Sequence, residues 1–236
     1  TPKPSSAASD VYKRQLFADF ESHILGAILT NYATSQCVTV TGYVPVELLG
    51  GLQVAEKIVA LNQFSKHDPY RATTENKGLF NGISAVVLAT GNDWRAVEAG
   101  GHAFASQNGT YQSLTTWHIQ EDKLYGQLSL PISVGTVGGV ISAMPQAKNA
   151  LHMMNVVSAD ELRGIILAVG LAQNLAALKA IASGGIQRGH MRMQYRVLAL
   201  QVGALPEELA LLVSQLSKLK QVDANIASKL LMEMRK

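Results

Sequence analysis

A lysine, an amide and a carboxylate flank a short apolar run in the segment ENKGLFNGISAVVLATGND, residues 75–93. Lys77 and Asn81 precede the run Ala85–Ala89, and Asp93 follows it. An apolar run of this length, bounded by glycines, predicts a buried strand whose flanking turns could bring Lys77 and Asp93 together. A lysine beside a carboxylate in a dry site can stabilise a developing oxyanion. The spacing alone, however, favours two solvated loop residues.

The segments that must position these residues show helical and extended patterns. Apolar residues at helical spacing predict a helix over Leu16–Ser35. Alternating β-branched residues predict a strand from Cys37 to Val44, which Pro45 ends. Leu114–Ile119 and Leu124–Leu130 have the two-residue period of a hairpin. Two further helices are predicted, one around residues 54–61 and one over residues 94–106.

The most apolar helix is predicted to begin at a capping box formed by Ser158 and Glu161 and to end near Ser183. It is apolar on nearly every side, so we expect it to be the buried centre of a domain. Gln173 lies inside it, and a buried amide needs either a ligand or a hydrogen-bond partner in the core. Three more helices are predicted from about Gln187, from Pro206 and from Asp223 to Met234.

The composition is that of a globular protein. The 236 residues are 47% hydrophobic and 16% charged, and the net charge of +3 comes from scattered basic residues, which argues against a nucleic-acid partner. One cysteine, Cys37, excludes an internal disulfide, favours the cytoplasm and is expected to be packed. Polar residues interrupt every apolar stretch of membrane-spanning length, so no membrane association is expected. The histidines lack the spacing of a metal site.

Several motifs resemble class II 3-hydroxy-3-methylglutaryl-coenzyme A reductase, the bacterial form of the enzyme. Besides ENKGLFNG and ATGNDWRAVEAG, the chain contains DPYRA, LTTW, GLAQN and GIQRGHM in the family's order. Together they cover roughly residues 20–236, and several ordered motifs are far more specific than one.

The resemblance implies an α+β fold. Its large domain has a buried central helix and a flanking sheet, a ferredoxin-like small domain is inserted into it, and a helical flap ends the chain. Residues 16–46 would be the end of the small cofactor-binding domain, a remnant of it, residues 47–187 the later part of the large domain, and residues 188–236 the flap. Residues 1–15 are expected to be a disordered tail or a non-native scar, because the resemblance begins after them.

The resemblance also implies a reaction, in which two hydride transfers from NADH or NADPH reduce a thioester to an alcohol and release coenzyme A. Lys77 matches the family's catalytic lysine, and Asp93 matches its carboxylate partner. His190 matches the flap histidine that protonates the departing thiolate, a task that suits its near-neutral pKa.

Further positions match ligand contacts. Arg71 matches the residue that grips the substrate's free carboxylate, for which a forked guanidinium is well suited. Thr74, Asn81 and Gln173 match polar substrate contacts, and Asn31 matches a residue near the cofactor.

Two features of the family are not found in these residues, namely the catalytic glutamate of a Glu-Glu-Pro-Ser-Val segment and the cofactor segment of the small domain. The chain is therefore expected to be the C-terminal half of a reductase that interconverts 3-hydroxy-3-methylglutaryl-CoA and mevalonate plus CoA. The alternative is a non-catalytic chain that at most binds a coenzyme A ligand or dimerises. The family's active site forms across a homodimer.

Overall fold

The computed structural model describes Gln15 and residues 28–183, 186–219 and 221–235. The helix predicted over Leu16–Ser35 falls largely outside these residues. At its predicted end, residues 28–33 are irregular, and Thr34–Gln36 form a single 3₁₀ turn. The helix therefore does not extend to Ser35. Of the tail predicted over residues 1–15, only Gln15 is described.

The chain forms two compact units, Thr1–Lys179 and Ala180–Lys236. The first unit contains one antiparallel sheet with the strand order β1-β3-β2. Its strands are β1 (Cys37–Pro45), β2 (Thr115–Gln120) and β3 (Lys123–Pro131). Both the single strand and the hairpin are thus confirmed. The two-residue period of β3 buries three leucines fully on one face, Leu124, Leu128 and Leu130.

The pairing of β1 bears on the domain boundary predicted at residue 46. All nine residues of β1 pair with β3, from Cys37 opposite Pro131 to Pro45 opposite Lys123. One sheet therefore contains strands from both sides of the predicted boundary, β1 before residue 46 and the hairpin after it. The thiol of Cys37 is exposed, contrary to the expectation that it is packed.

Seven helices begin among the described residues of the first unit. They are α1 (Val46–Leu49), α2 (Leu52–His67), α3 (Pro69–Ala89), α4 (Trp94–Ala105), α5 (Gly139–Ala143), α6 (Pro145–Met153) and α7 (Ala159–Ser183). Helix α2 packs against β2 and α3, and α4 packs against α3 and β3. The helices predicted around residues 54–61 and over residues 94–106 are confirmed.

The strand predicted over Ala85–Ala89 is wrong, because these residues are the last turns of the 21-residue helix α3. Gly82 does not end a strand but lies within this helix, where α7 crosses it. A Cβ on Gly82 would lie 3.1 Å from the carbonyl oxygen of Val169. The glycine therefore lets two helices approach closely.

Helix α7 begins as predicted, since the Ser158 and Glu161 side chains each accept a hydrogen bond from the other's backbone N–H, at 3.2 Å. Leu162, Ile166 and Leu167 are fully buried. The helix is not buried all round, however, because Val169 and its neighbours on that face are exposed. By length and hydropathy α7 could also cross a membrane, contrary to the sequence-based expectation, although 39% of the apolar window is buried within the protein.

The second unit contains α8 (Ile186–Gln201), α9 (Pro206–Leu216) and α10 (Ala224–Met234), as the sequence predicted. These three helices enclose a core of their own, with Ala199, Leu212 and Ala227 fully buried. The compact units divide at Lys179, within α7, which is earlier in the chain than the flap boundary predicted at residue 187.

Candidate functional site

Four of the proposed site residues lie on one face of α3. Arg71, Thr74, Lys77 and Asn81 are spaced by three or four residues, so their side chains leave the helix in similar directions. Thr74, Lys77 and Asn81 are exposed, and Arg71 is half-buried at one side of the row. Lys77 makes no hydrogen bond or ion pair within the described part of the chain. We call this row, Arg71 to Asn81, the α3 face.

Gln173 joins the α3 face from α7. A Cβ on Gly82 would lie 3.0 Å from the Cβ of Gln173, so the Gln173 side chain leaves α7 beside Asn81. The prediction that Gln173 is buried is wrong, because the helix turns this residue to the surface. The buried amide of α7 is its neighbour Asn174, which is 1% exposed. The Asn174 Oδ1 accepts a hydrogen bond from Trp117 Nε1 at 2.7 Å and lies 3.2 Å from Thr115 Oγ1.

Asp93 is the N-cap of α4. Its Oδ1 accepts hydrogen bonds from the backbone N–H of Arg95 at 3.1 Å and of Ala96 at 3.3 Å. Desolvation raises the pKa of the Asp93 carboxyl, but the Ala96 N–H and the Arg95 side chain outweigh it, so the pKa lies below its ordinary value. Asp93 is therefore a carboxylate at neutral pH, and its Oδ2 has no hydrogen-bond partner among the described residues.

Within one chain, Lys77 and Asp93 do not meet. Helices α3 and α4 run antiparallel, since Ser84 donates a hydrogen bond to Glu98 at 2.6 Å while Gly101 packs on Phe80. Asp93 therefore lies beyond the C-terminal end of α3. Lys77 is twelve residues before that end, about 18 Å away along the axis at 1.5 Å per residue. The turns after Ala89 do not bring the ammonium to the carboxylate.

Asn31 lies beside α4. Its carbonyl oxygen is 2.6 Å from the position that a Cβ on Gly100 would take, so Gly100 is required for this close approach. A recess of about 250 Å³, open to solvent, lies here, lined by Thr30, Asn31, Ala96, Val97, Pro131 and Ser133. Asn31 and Asp93 thus both contact α4, and neither is part of the α3 face.

His190 lies in α8 of the second unit. The side chains of residues 186–192 are outside the described part of the structure, so the imidazole has no assigned contacts. Among the described residues, no three histidine, cysteine, aspartate or glutamate side chains come together as metal ligands.

One polar cluster, centred on Glu75, was not predicted from the sequence. This carboxylate is 4% exposed and lies beneath the α3 face. Its side-chain partners are Asn62 of α2, Ser65 of α2, Arg71 of α3, Ser113 before β2 and Thr115 of β2. We call these residues the Glu75 network. A signal was present in the sequence, since Glu75 follows Arg71 by four residues, but this spacing is common on exposed helices too.

The comparisons with known proteins agree with the motifs. The family model described as hydroxymethylglutaryl-coenzyme A reductase matches residues 6–195. The chain belongs to the hydroxymethylglutaryl-coenzyme A reductase family. Because the match begins at residue 6, the family resemblance does not begin only after residue 15, as the sequence analysis expected.

Two curated relatives have names from this family. The 3-hydroxy-3-methylglutaryl-coenzyme A reductase of Archaeoglobus fulgidus is 42% identical over 183 residues, which are 77% of this chain and 42% of that protein. The probable reductase of Borreliella burgdorferi is 46% identical over 140 residues, 59% of this chain and 32% of that protein. The chain thus spans less than half the length of these relatives.

Solved reductases from Streptococcus pneumoniae share the fold. One has a TM-score of 0.69 at 43% identity, covering 97% of this chain and 55% of that one. A class II enzyme bound to NADPH in open conformations has a TM-score of 0.68 at 43% identity, covering 98% and 56%. The α+β fold implied by the resemblance is therefore confirmed, whereas the ferredoxin-like remnant is not tested by it.

Proposed function

We propose that the protein containing this chain interconverts 3-hydroxy-3-methylglutaryl-CoA and mevalonate plus CoA, and that the α3 face holds the acyl group. The observation that carries the proposal is the convergence of Arg71, Lys77 and Asn81 on one face, with Gln173 beside it. A cation, a guanidinium and two amides on rigid helices suit a ligand with a carboxylate at one end and a reacting carbonyl at the other.

Each residue of the α3 face receives a specific role. The Lys77 ammonium stabilises the negative charge that develops on the thioester oxygen. Arg71 binds the free carboxylate, because a guanidinium can donate two parallel hydrogen bonds to it. Asn81, Gln173 and Thr74 position the acyl group through its hydroxyl and carbonyl oxygens.

A nicotinamide cofactor, NADH or NADPH, supplies the hydride in this proposal, and support comes from the NADPH-bound relative. The described residues alone do not form its site. The recess beside Asn31 is open to solvent and encloses room for little more than one water molecule. Sites for drug-sized ligands occupy roughly 300–1,000 Å³. Asn31 is therefore proposed as one contact at the edge of a cofactor site.

His190 is proposed to protonate the thiolate of coenzyme A as it departs, with α8 to α10 acting as the flap. A histidine pKa near neutrality suits this transfer. The domain roles remain part of the same proposal, with residues 16–46 ending a small cofactor-binding domain and residues 47–187 forming the later part of the large domain. A cytoplasmic location is proposed from the single cysteine and the bacterial and archaeal relatives.

A homodimer is proposed to complete the site. Within one chain, Lys77 lies about 18 Å along α3 from the C-terminal end of that helix, beyond which Asp93 lies, and this is too far for an ion pair. A two-fold dimer can place Asp93 of one copy beside Lys77 of the other. Coexpression of Lys77→Ala with Asp93→Asn tests this, because each variant alone is expected to be inactive while the mixture regains a measurable fraction of turnover. Inactivity of the mixture, with dimers shown to form, would contradict the shared site.

The reaction itself is tested in the longest reading frame that encodes these residues. We expect oxidation of NADH or NADPH that depends on 3-hydroxy-3-methylglutaryl-CoA, followed by absorbance. Loss of Lys77 should lower kcat by roughly 10²–10³-fold, as found when one oxyanion donor is removed. Lys57→Ala, an exposed lysine of α2, is the matched control and should retain full turnover. Full turnover by Lys77→Ala would contradict the assigned role.

The 236-residue chain by itself is expected not to oxidise the cofactor. The alternative for it is a non-catalytic chain that binds a coenzyme A ligand or dimerises. Turnover by the purified 236 residues, abolished by Lys77→Ala, would remove that alternative.

A further inference from the structure

Among the described residues of the first unit, the Glu75 carboxylate is the most enclosed charged group that the proposed reaction does not use. Its side chain is 2% exposed. Oε1 accepts hydrogen bonds from Asn62 Nδ2 at 2.9 Å, Ser113 Oγ at 2.9 Å and Thr115 Oγ1 at 3.2 Å. Oε2 accepts from Ser65 Oγ and pairs with Arg71 Nη2 at 3.2 Å. Both oxygens are therefore fully engaged, and the carboxylate is held in one orientation.

Stability alone does not explain a charge at this position. Burying a carboxylate costs several kcal/mol of desolvation, and a well-packed apolar side chain often stabilises a fold as well as a buried ion pair does. A buried charged network instead fixes one geometry, because its members satisfy each other in only one arrangement. We therefore expect the network to hold one of its members in a defined orientation.

Arg71 is the member of the network that reaches the α3 face. Its side chain is 16% exposed, and Nη2 is the one nitrogen that pairs with Glu75. Nε and Nη1 have no hydrogen-bond partner among the described residues. The guanidinium is thus anchored from below and has donors left for a ligand above. Without Glu75, Arg71 would keep its charge but lose the contact that fixes its rotamer.

The network continues to the second helix of the site. Asn62 donates to Glu75 Oε1 at 2.9 Å and accepts from the Trp117 backbone N–H at 3.1 Å, and Trp117 Nε1 donates to Asn174 Oδ1 at 2.7 Å. Asn174 is the sequence neighbour of Gln173, which lies beside the α3 face. One path, an ion pair followed by hydrogen bonds, therefore runs from Arg71 on α3 through α2 and β2 to the part of α7 that carries Gln173.

We propose that Glu75 is a positioning residue for the acyl carboxylate: it orients the Arg71 guanidinium, and through Asn62, Trp117 and Asn174 it fixes the register of α7 against α3. This inference rests on the proposed function. It predicts that Glu75 governs recognition of the acyl end of the substrate, which has the carboxylate, and not of coenzyme A, which lacks it.

The test is Glu75→Gln in the same full-length protein. The amide has the shape of the carboxylate but lacks its charge, so Arg71 loses its anchor. Hydrogen bonds to charged groups contribute enough to change an equilibrium by about 10- to 100-fold, and we expect KM for 3-hydroxy-3-methylglutaryl-CoA to rise within that range. The inhibition constant of free coenzyme A should change less than twofold, an order-of-magnitude expectation for a ligand without the contact. Asp160→Asn is the matched control, since Asp160 also pairs with an arginine, Arg163, on the surface of the same unit.

A double-mutant cycle separates positioning from general stability. If Glu75 acts through Arg71, then adding Glu75→Gln to Arg71→Ala should raise KM no further. Additive effects, equal losses for the substrate and for coenzyme A, or an unchanged KM would each overturn the inference. If Glu75→Gln does not fold, Ser65→Ala is used instead, because it removes one donor from the Glu75 oxygen that pairs with Arg71. KM is then expected to rise by a few-fold, and an unchanged KM would overturn the inference. Absence of turnover by the unmodified protein would instead overturn the proposed function.

Discussion

Each compact unit contains a glutamate–arginine pair, and the two pairs differ in their surroundings. In the first unit, Glu75 pairs with Arg71 at 3.2 Å, and its side chain is 2% exposed. In the second unit, Glu208 of α9 accepts hydrogen bonds from Arg235 Nε at 2.7 Å and Nη2 at 2.8 Å, and the Arg235 side chain is 46% exposed. The surface pair has the shorter, two-bonded geometry.

The comparison shows that bond length alone does not determine how much a pair contributes to stability. The Arg235 guanidinium is open to water, so even well-aligned bonds from it contribute little. Around Glu75 no water competes, and every donor that is removed leaves a buried charge less satisfied. The longer contact of 3.2 Å at Arg71 should therefore matter more than the shorter contacts at Arg235.

The largest effect is expected from Glu75→Ala in the 236-residue chain. It leaves the Arg71 guanidinium and four polar groups without their shared acceptor. Removing one partner of a buried pair costs about 3–5 kcal/mol in free energy of unfolding. Urea unfolding measures this, with the fluorescence of Trp94 and Trp117 reporting the first unit and circular dichroism reporting the helices of the second. A loss no larger than that of Glu208→Ala would show that burial does not distinguish the two pairs.

A smaller loss is expected from Asn62→Ala. Its Nδ2 donates to Glu75 at 2.9 Å, and its Oδ1 accepts from the backbone N–H of Trp117 at 3.1 Å, so this fully buried amide joins α2 to β2. Leaving buried polar partners unsatisfied costs roughly 1–3 kcal/mol. The same urea experiment applies, with Asn149→Ala, an exposed amide of α6, as the control. A loss equal to that of the control would show that the Asn62 hydrogen bonds do not contribute to the free energy of unfolding.

The sequence located the elements well where local signals set their ends. The capping residues Ser158 and Asp223 begin α7 and α10 as predicted, and the two-residue period of β3 identified the buried face of the sheet. These signals act within a few residues, so they can be read without the rest of the fold.

Signals that depend on distant contacts could not be read in this way. The run Ala85–Ala89 fits a strand or a buried helix equally well, and its flanking Gly82 is present because α7 crosses there. For α7, an apolar helix gives no amphipathic face, so the sequence could not decide whether Gln173 or Asn174 points inward. The Glu75 network joins residues up to 53 positions apart in sequence, as Asn62 and Thr115 show, and no local pattern predicts it.

Helical spacing predicts one part of the candidate site, and the other part depends on the fold. The α3 face follows from helical spacing once α3 is known to be a helix, so Arg71, Thr74, Lys77 and Asn81 come together. The meeting of Lys77 with Asp93 was expected from a strand and its turns. The helix removes that expectation, because it separates the two residues along its axis.

The smallest effect, and the one that depends on pH, is expected at Glu208. Hydrogen bonds from Arg235, followed by the Leu205 N–H, lower the pKa of the Glu208 carboxyl from 4.5 to about 2. Because the folded pKa lies below the unfolded one, the stabilisation is fully present above pH 4.5 and is lost as the pH falls towards about 2. Glu208→Gln should remove this part of the pH dependence, which thermal unfolding of the second-unit helices between pH 6 and pH 2 can measure by circular dichroism. Glu207→Gln, an exposed glutamate in the same turn, should leave the profile unchanged, and added salt should reduce the difference between the variants. An identical pH profile for Glu208→Gln and the unmodified chain would show that solvent already screens the Arg235 contact, and the contrast with Glu75 would then be larger still.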